Sequence, residues 1–155
     1  MSFRYLGLPQ AGFANILGMS AGQLAEIGAQ RMVADEKPGY PCRVTLADAE
    51  PGESVVLFSY MHQSAATAYK ASGPVFVRQS AQTPYDSDRL PPVFQEGRLL
   101  SARAYNSAGI MLDADVTASD GLEHLLKTLF AQRGTDYVHV HYAKRGCFAA
   151  RVERI

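Results

Sequence analysis

The sequence predicts an α+β domain: a mostly antiparallel sheet with two helices packed on it, closed by a C-terminal β-hairpin. Three observations carry that prediction. Residues Ser54 to Tyr60, SVVLFSY, are apolar on both faces, as a central strand requires. Leu122, Leu125, Leu126, Leu129 and Phe130 fall at the i, i+3, i+4, i+7, i+8 spacing of one buried helical stripe. The segment from Asp136 to Glu153 alternates apolar and polar residues on either side of Lys144-Arg145-Gly146, the mark of two strands joined by a tight turn. A length of 155 residues suffices for one such core, so residues 1–155 read as a single domain.

Taken in order, Ser20-Ala21-Gly22-Gln23 is a capping box that starts a short helix through Leu24 and Ile27 to Ala29. Strands are expected at Arg31 to Ala34 and Cys42 to Leu46, separated by Pro38-Gly39 and Pro41. After the central strand, Met61 to Gly73 reads as a long polar connection carrying His62, Ser64, Tyr69, Lys70 and Ser72, of the length that often serves function. Pro74 to Arg78 returns as a strand. Gln79 to Gly97 holds Pro84, Pro91 and Pro92, so it reads as an arm over the sheet or across the partner of a homodimer. Arg98 to Tyr105 and Ile110 to Val116 form a hairpin around Asn106-Ser107-Ala108-Gly109. The second helix starts at Asp120 with Glu123 and stops at Gly134.

Composition narrows the function. The formal net charge is zero, which argues against bulk electrostatic binding to nucleic acid. No run of residues is apolar for long enough to span a membrane, and the first residues lack the basic start and apolar core of a signal peptide. Cys42 and Cys147 have no metal-ribbon or disulfide-framework spacing and read as free thiols of a cytoplasmic protein. Eleven of the fifteen basic residues are arginine, whose planar fork suits carboxylates and phosphates, although GC-rich codon usage produces the same bias.

The candidate site lies on the closing hairpin. A three-residue loop, Lys144 to Gly146, would set Ala143 opposite Cys147, His141 opposite Ala149 and His139 opposite Arg151. One face then carries Val138, Val140, Tyr142, Phe148, Ala150 and Val152, and the other Tyr137, His139, His141, Cys147, Arg151 and Glu153. A four-residue loop, Ala143 to Gly146, would mix the two sets. Three chemistries fit the polar face. The leading one is a small anionic ligand held by His139, His141 and Arg151, with Arg43 and Ser72 contributed by neighbouring loops. The alternative is a transition metal, zinc first, on His139, His141 and Cys147. The third is a non-catalytic surface that meets a protein partner. Cys147 beside His141 also forms a candidate nucleophile and base, without the local signature of a known cysteine hydrolase. "HVHY" superficially resembles the histidine-triad nucleotide hydrolases, but the next alternate position is Ala143 and the previous one Tyr137, so that mechanism does not transfer.

Three blocks, GYPCRVTLADAEPGESVVLFSY, YKASGPVFVR and VHVHYAKRGCFAARVER, together resemble the bacterial family catalogued as domain of unknown function 1203. The resemblance covers nearly the whole chain. It implies a small, cytosolic, stand-alone bacterial protein and no particular activity. Cys42, Arg43, Ser72, Gly73, Pro74, His139, His141 and Cys147 carry the match, with Gly73-Pro74 expected as a fixed turn into its strand.

Overall fold

Two antiparallel sheets, rather than the single sheet expected, organise the chain; the computed structural model describes every residue except Gln82 and Glu96. The elements in order are β1 (Phe3–Leu6), α1 (Ala14–Leu17), α2 (Ala21–Glu26), β2 (Gln30–Val33), β3 (Ser54–Gln63), β4 (Ala71–Arg78), β5 (Asp86–Ser87), β6 (Leu99–Tyr105), β7 (Met111–Ala118), α3 (Leu122–Ala131), β8 (Tyr137–Tyr142) and β9 (Phe148–Arg154). The larger sheet has the order β5-β1-β9-β8-β6-β7 and the smaller one β2-β3-β4.

Of the helices, only α3 is substantial, so the expected pair packed on one sheet reduces to one. Its apolar stripe behaves as the spacing predicts: Leu122, Leu126, Leu129 and Phe130 are buried against Val138, Val140, Ala150 and Val152 of the large sheet. Each such side chain contributes about 1.5–3 kcal/mol of burial. The expected cap at Asp120 does not form. A 3₁₀ turn, Ser119–Gly121, leads into the helix, and no side chain caps it. At α2 the capping box is present in both directions: Gln23 N donates to Ser20 Oγ at 3.2 Å and Ser20 N to Gln23 Oε1 at 2.9 Å. Replacing Ser20 with alanine is expected to cost about 1 kcal/mol, read as a lowered urea midpoint at unchanged slope.

Three elements depart from expectation. Phe3–Leu6 forms a strand that sits between β5 and β9, burying Phe3 and Tyr5 while Arg4 faces out. Cys42 to Leu46 is not a strand. It turns back on itself, with Leu46 N on the Cys42 carbonyl, Cys42 N on the Ala47 carbonyl and Leu46 at φ 50°. β3 runs three residues beyond Tyr60, and β4 begins at Ala71, so the polar connection shortens to residues 64–70. The proline-rich arm lies over its own chain: Val93 and Phe94 are fully buried, with Phe94 packed on Tyr5 and Tyr142. Among the described residues, no helix is long and apolar enough to cross a membrane.

The two sheets meet face to face. Val56, Phe58, Val75 and Val77 of the small sheet share a core with Phe148 of the large one, on the side of the large sheet away from α3. That packing converts the hairpin's polar face from the expected surface into an interior. His139 and His141 are 3% and 1% exposed.

Candidate functional site

Two β-bulges aim side chains at the space between the sheets. On the closing hairpin the loop is the four-residue one, Ala143 to Gly146: Tyr142 N donates to the Cys147 carbonyl, Gly146 N to the Tyr142 carbonyl, and Gly146 takes a φ of 79° that favours glycine. His141 therefore pairs with Phe148, not with Ala149. Ala149 is the extra residue of a bulge, after which Val140 meets Ala150 and His139 meets Arg151, the latter as the sequence predicts. The bulge explains how a four-residue loop coexists with segregated faces. It also moves three residues from where the three-residue loop would put them, Ala149 itself turning to the α3 side. Phe148 joins the histidines, and Cys147, opposite Tyr142, leaves them.

The second bulge is on β3, where the register shifts between Tyr60 and Gln63. There Met61 and His62 together oppose Ser72, and the irregularity lets both His62 and Gln63 reach the large sheet. Gln63 Nε2 donates to Tyr137 Oη at 2.9 Å. His62 stacks flat on Phe148, centroids 5.4 Å apart at 4°, and stands edge-on to His141 at 5.0 Å and His139 at 6.4 Å. One nitrogen from each of His62, His139 and His141 lies within 4.8 Å of the other two.

The electrostatics of these rings follow from burial. His141 Nδ1 lies 2.9 Å from the Gly146 carbonyl, which only accepts, so Nδ1 carries the proton and Nε2 holds the lone pair. His141 Nε2, His139 Nδ1 and His62 Nδ1 are buried without a hydrogen-bond partner. Desolvation pushes His139 down to about 3, helped by His141, Arg151, His62 and Arg103. It pushes His141 down to about 4 despite the Gly146 bond, with Arg103, His62 and Arg43 adding to the shift. His62 is lowered by burial and by Arg103. At neutral pH all three are uncharged imidazoles, the form that ligates metals.

The other residues singled out in the sequence do not join this cluster. Arg43 is 2% exposed and fully engaged as a clamp: Nε donates to the Phe148 carbonyl at 2.7 Å, Nη1 to the Pro41 carbonyl at 2.6 Å, and Nη2 to Cys147 Sγ at 3.2 Å. Arg151 lies over the Tyr137 ring at 3.9 Å and pairs with Glu153 at 2.8 Å, its side chain 38% exposed. Ser72 is exposed on β4. Gly73 is the residue of that strand that comes close to His62: a Cβ there would lie 3.9 Å from His62 Nε2. Cys42 is an apolar core thiol beside Val44, and neither cysteine is in a disulfide. The structure thus brings His139 and His141 together, keeps Cys147, Arg43, Arg151 and Ser72 apart from their unpartnered nitrogens, and adds His62. The signal for His62 was its place two residues beyond Tyr60 at the end of the strongest strand, concealed by the bulge that breaks the alternation.

A surface hollow of about 300 Å³ on the α3 side of the large sheet is lined by Phe3, Tyr5, Leu90, Asp120 and their neighbours and contains no histidine. The histidine cluster is instead a narrow interior site, floored by β8 and roofed by β3. At the far end the segment after Gln63 docks on the β6–β7 turn, with Thr67 Oγ1 donating to the Gly109 carbonyl at 3.1 Å. Gly109 has φ 79°, and a Cβ there would collide with Ala65, so glycine is needed for this closure.

Comparison with curated proteins and with solved structures found no significant match. A family model matches residues 39–154, a span that holds all three histidines, the Arg43 turn and both bulges: the chain belongs to the family described as protein of unknown function DUF1203.

Proposed function

We propose that the protein binds a transition metal ion, zinc first, through His62, His139 and His141. The observation that carries this reading is the convergence of three neutral imidazoles whose buried ring nitrogens lack partners. A buried nitrogen left unsatisfied costs about 1–3 kcal/mol, and three in one place make a poor core but a ready ligand set. A tetrahedral ion at about 2.0–2.1 Å from each nitrogen wants them roughly 3.3 Å apart. The ligand nitrogens lie within 4.8 Å of one another, so binding would draw the rings together. The Gly146 carbonyl supplies the outer-shell bond that fixes the His141 tautomer, as such ligands require. Three protein nitrogens leave a fourth position open, the arrangement of a reactive rather than a purely structural site. The free thiols suit a reducing compartment, and the reading includes a bacterial cytoplasmic location with no role in binding nucleic acid.

The test is the metal content of untagged protein after dialysis against zinc or cobalt. Wild type is expected to retain about one ion per chain. A His139→Ala, His141→Ala variant is expected to retain none, and His62→Ala to lose at least tenfold in affinity. Cys147→Ser should bind as wild type does, which separates this ligand set from one that includes the thiol. Wild-type protein that stays metal-free under these conditions would overturn the reading.

A further inference from the structure

Beside the three-histidine cluster, on the same face of the large sheet, stands an arginine with no carboxylate partner among the described residues. Arg103 on β6 is the direct cross-strand partner of His139, and Ser101 that of His141, so both side chains share the histidines' face. Beyond them on β7, Ala114 pairs with Arg103 and Val116 with Ser101, and both are exposed. The small sheet therefore covers β8 but stops short of β7, which leaves Arg103 half-buried between the cluster and the uncovered edge strand. Among the described residues no carboxylate pairs with Arg103, and its Nε has only a 3.4 Å contact with Ser101 Oγ. The group of converging ligands contains no Asp or Glu either.

Charge balance then decides what the fourth ligand is. A divalent ion on three neutral imidazoles keeps its full charge, and Arg103 adds another beside it. With no carboxylate among the converging ligands or paired with Arg103, and Glu153 already paired with Arg151, the arrangement favours an anion as the bound molecule. We propose that the site binds a small oxyanion, one oxygen on the ion held by His62, His139 and His141 and a second on the Arg103 guanidinium. The fork of Arg103 suits the paired oxygens of a carboxylate or phosphate. The role of Arg103 is binding; no bond is made or broken in it. This inference rests on the three-histidine reading and fails with it, but it can also fail alone.

Cobalt-loaded protein separates the two failures, because the visible bands of bound cobalt report its fourth ligand. Wild type and Arg103→Gln are each loaded, their cobalt content is measured, and acetate and inorganic phosphate are titrated in separate arms against a chloride control. The expected result is equal cobalt content in the two proteins, a spectral change with acetate or phosphate in wild type, and at least about tenfold weaker anion binding in Arg103→Gln. The arm with the stronger response distinguishes carboxylate from phosphate. Full cobalt loading with no anion response, or the same anion affinity in both proteins, would overturn the oxyanion site while leaving the metal site standing. Failure of wild type to take up cobalt would overturn both.

Discussion

Metal-free protein is expected to lose roughly 4 kcal/mol of stability between pH 7 and pH 5 through His139 and His141 alone. Their folded values, about 3 and about 4, lie below the ordinary histidine value of about 6.5. In that interval the unfolded chain takes up protons that the folded chain refuses, so stability rises with pH and falls as acid is added. The loss begins near the unfolded value and continues down toward the folded ones, at about 2 kcal/mol for each ring by pH 5. Burial is the first cause for both rings, and their near-zero exposure leaves little solvent to screen the effect. Asp86 beside Arg4 and Glu123 beside Lys127 are held below their usual carboxylate range. Those exposed pairs add only small losses, and only below about pH 4.5, outside the pH 7 to 5 interval. Urea unfolding of chelator-treated protein at pH 7, 6 and 5 reads the slope. A His139→Leu, His141→Leu variant should lose most of that slope, keeping only the part due to His62, and a flat wild-type profile would refute the assignment.

Arg43→Ala is expected to cost about 3–5 kcal/mol. The side chain is fully interior and donates to two carbonyls and a sulfur on two segments far apart in sequence. It also lies 5.1 Å from the centre of the Tyr142 ring. Removing it empties a long cavity and frees the Phe148 end of β9 from the turn at Pro41. Because Phe148 and the Gly146 carbonyl both support the histidines, metal affinity should fall along with stability. Arg43→Lys is expected to rescue little, since one ammonium cannot reproduce a fork spread over three acceptors. A denaturant midpoint equivalent to less than about 1 kcal/mol of loss would show that the clamp is dispensable.

Which parts of this were legible in the sequence depends on whether the signal was local. The α3 stripe, the capping box at Ser20 and the His139–Arg151 pairing all rest on short-range periodicity, and all are present. Phe3-Arg4-Tyr5-Leu6 carries a short alternation of its own, too brief to stand out without the neighbours β9 and β5. The rest needed contacts distant along the chain. That the histidine face is interior depends on β3 and β4 packing across it, and no pattern within residues 137–154 encodes a second sheet. Arg43 reads as available for a ligand because two of its three acceptors are main-chain carbonyls, which are the same for every sequence. His62 was hidden by the bulge at Met61 and His62, since a bulge breaks the alternation by which a strand position is recognised.

The extra residue at Ala149 can be regarded as a dislocation in the ladder, a defect whose position carries information. On its turn side the strand is read in one phase, and on the far side in the other. Slid past Phe148 to the turn, the defect would leave every pair beyond it unchanged and move only three residues between the faces, Phe148, Cys147 and Ala149 itself. The three histidines would then look onto a thiol instead of a phenyl ring, and an all-nitrogen ligand set would become a mixed nitrogen and sulfur one, with a softer preference among metals. On the proposed metal reading, the hardness of the site would be set by where one unpaired alanine falls, and it could change without any substitution at His62, His139 or His141.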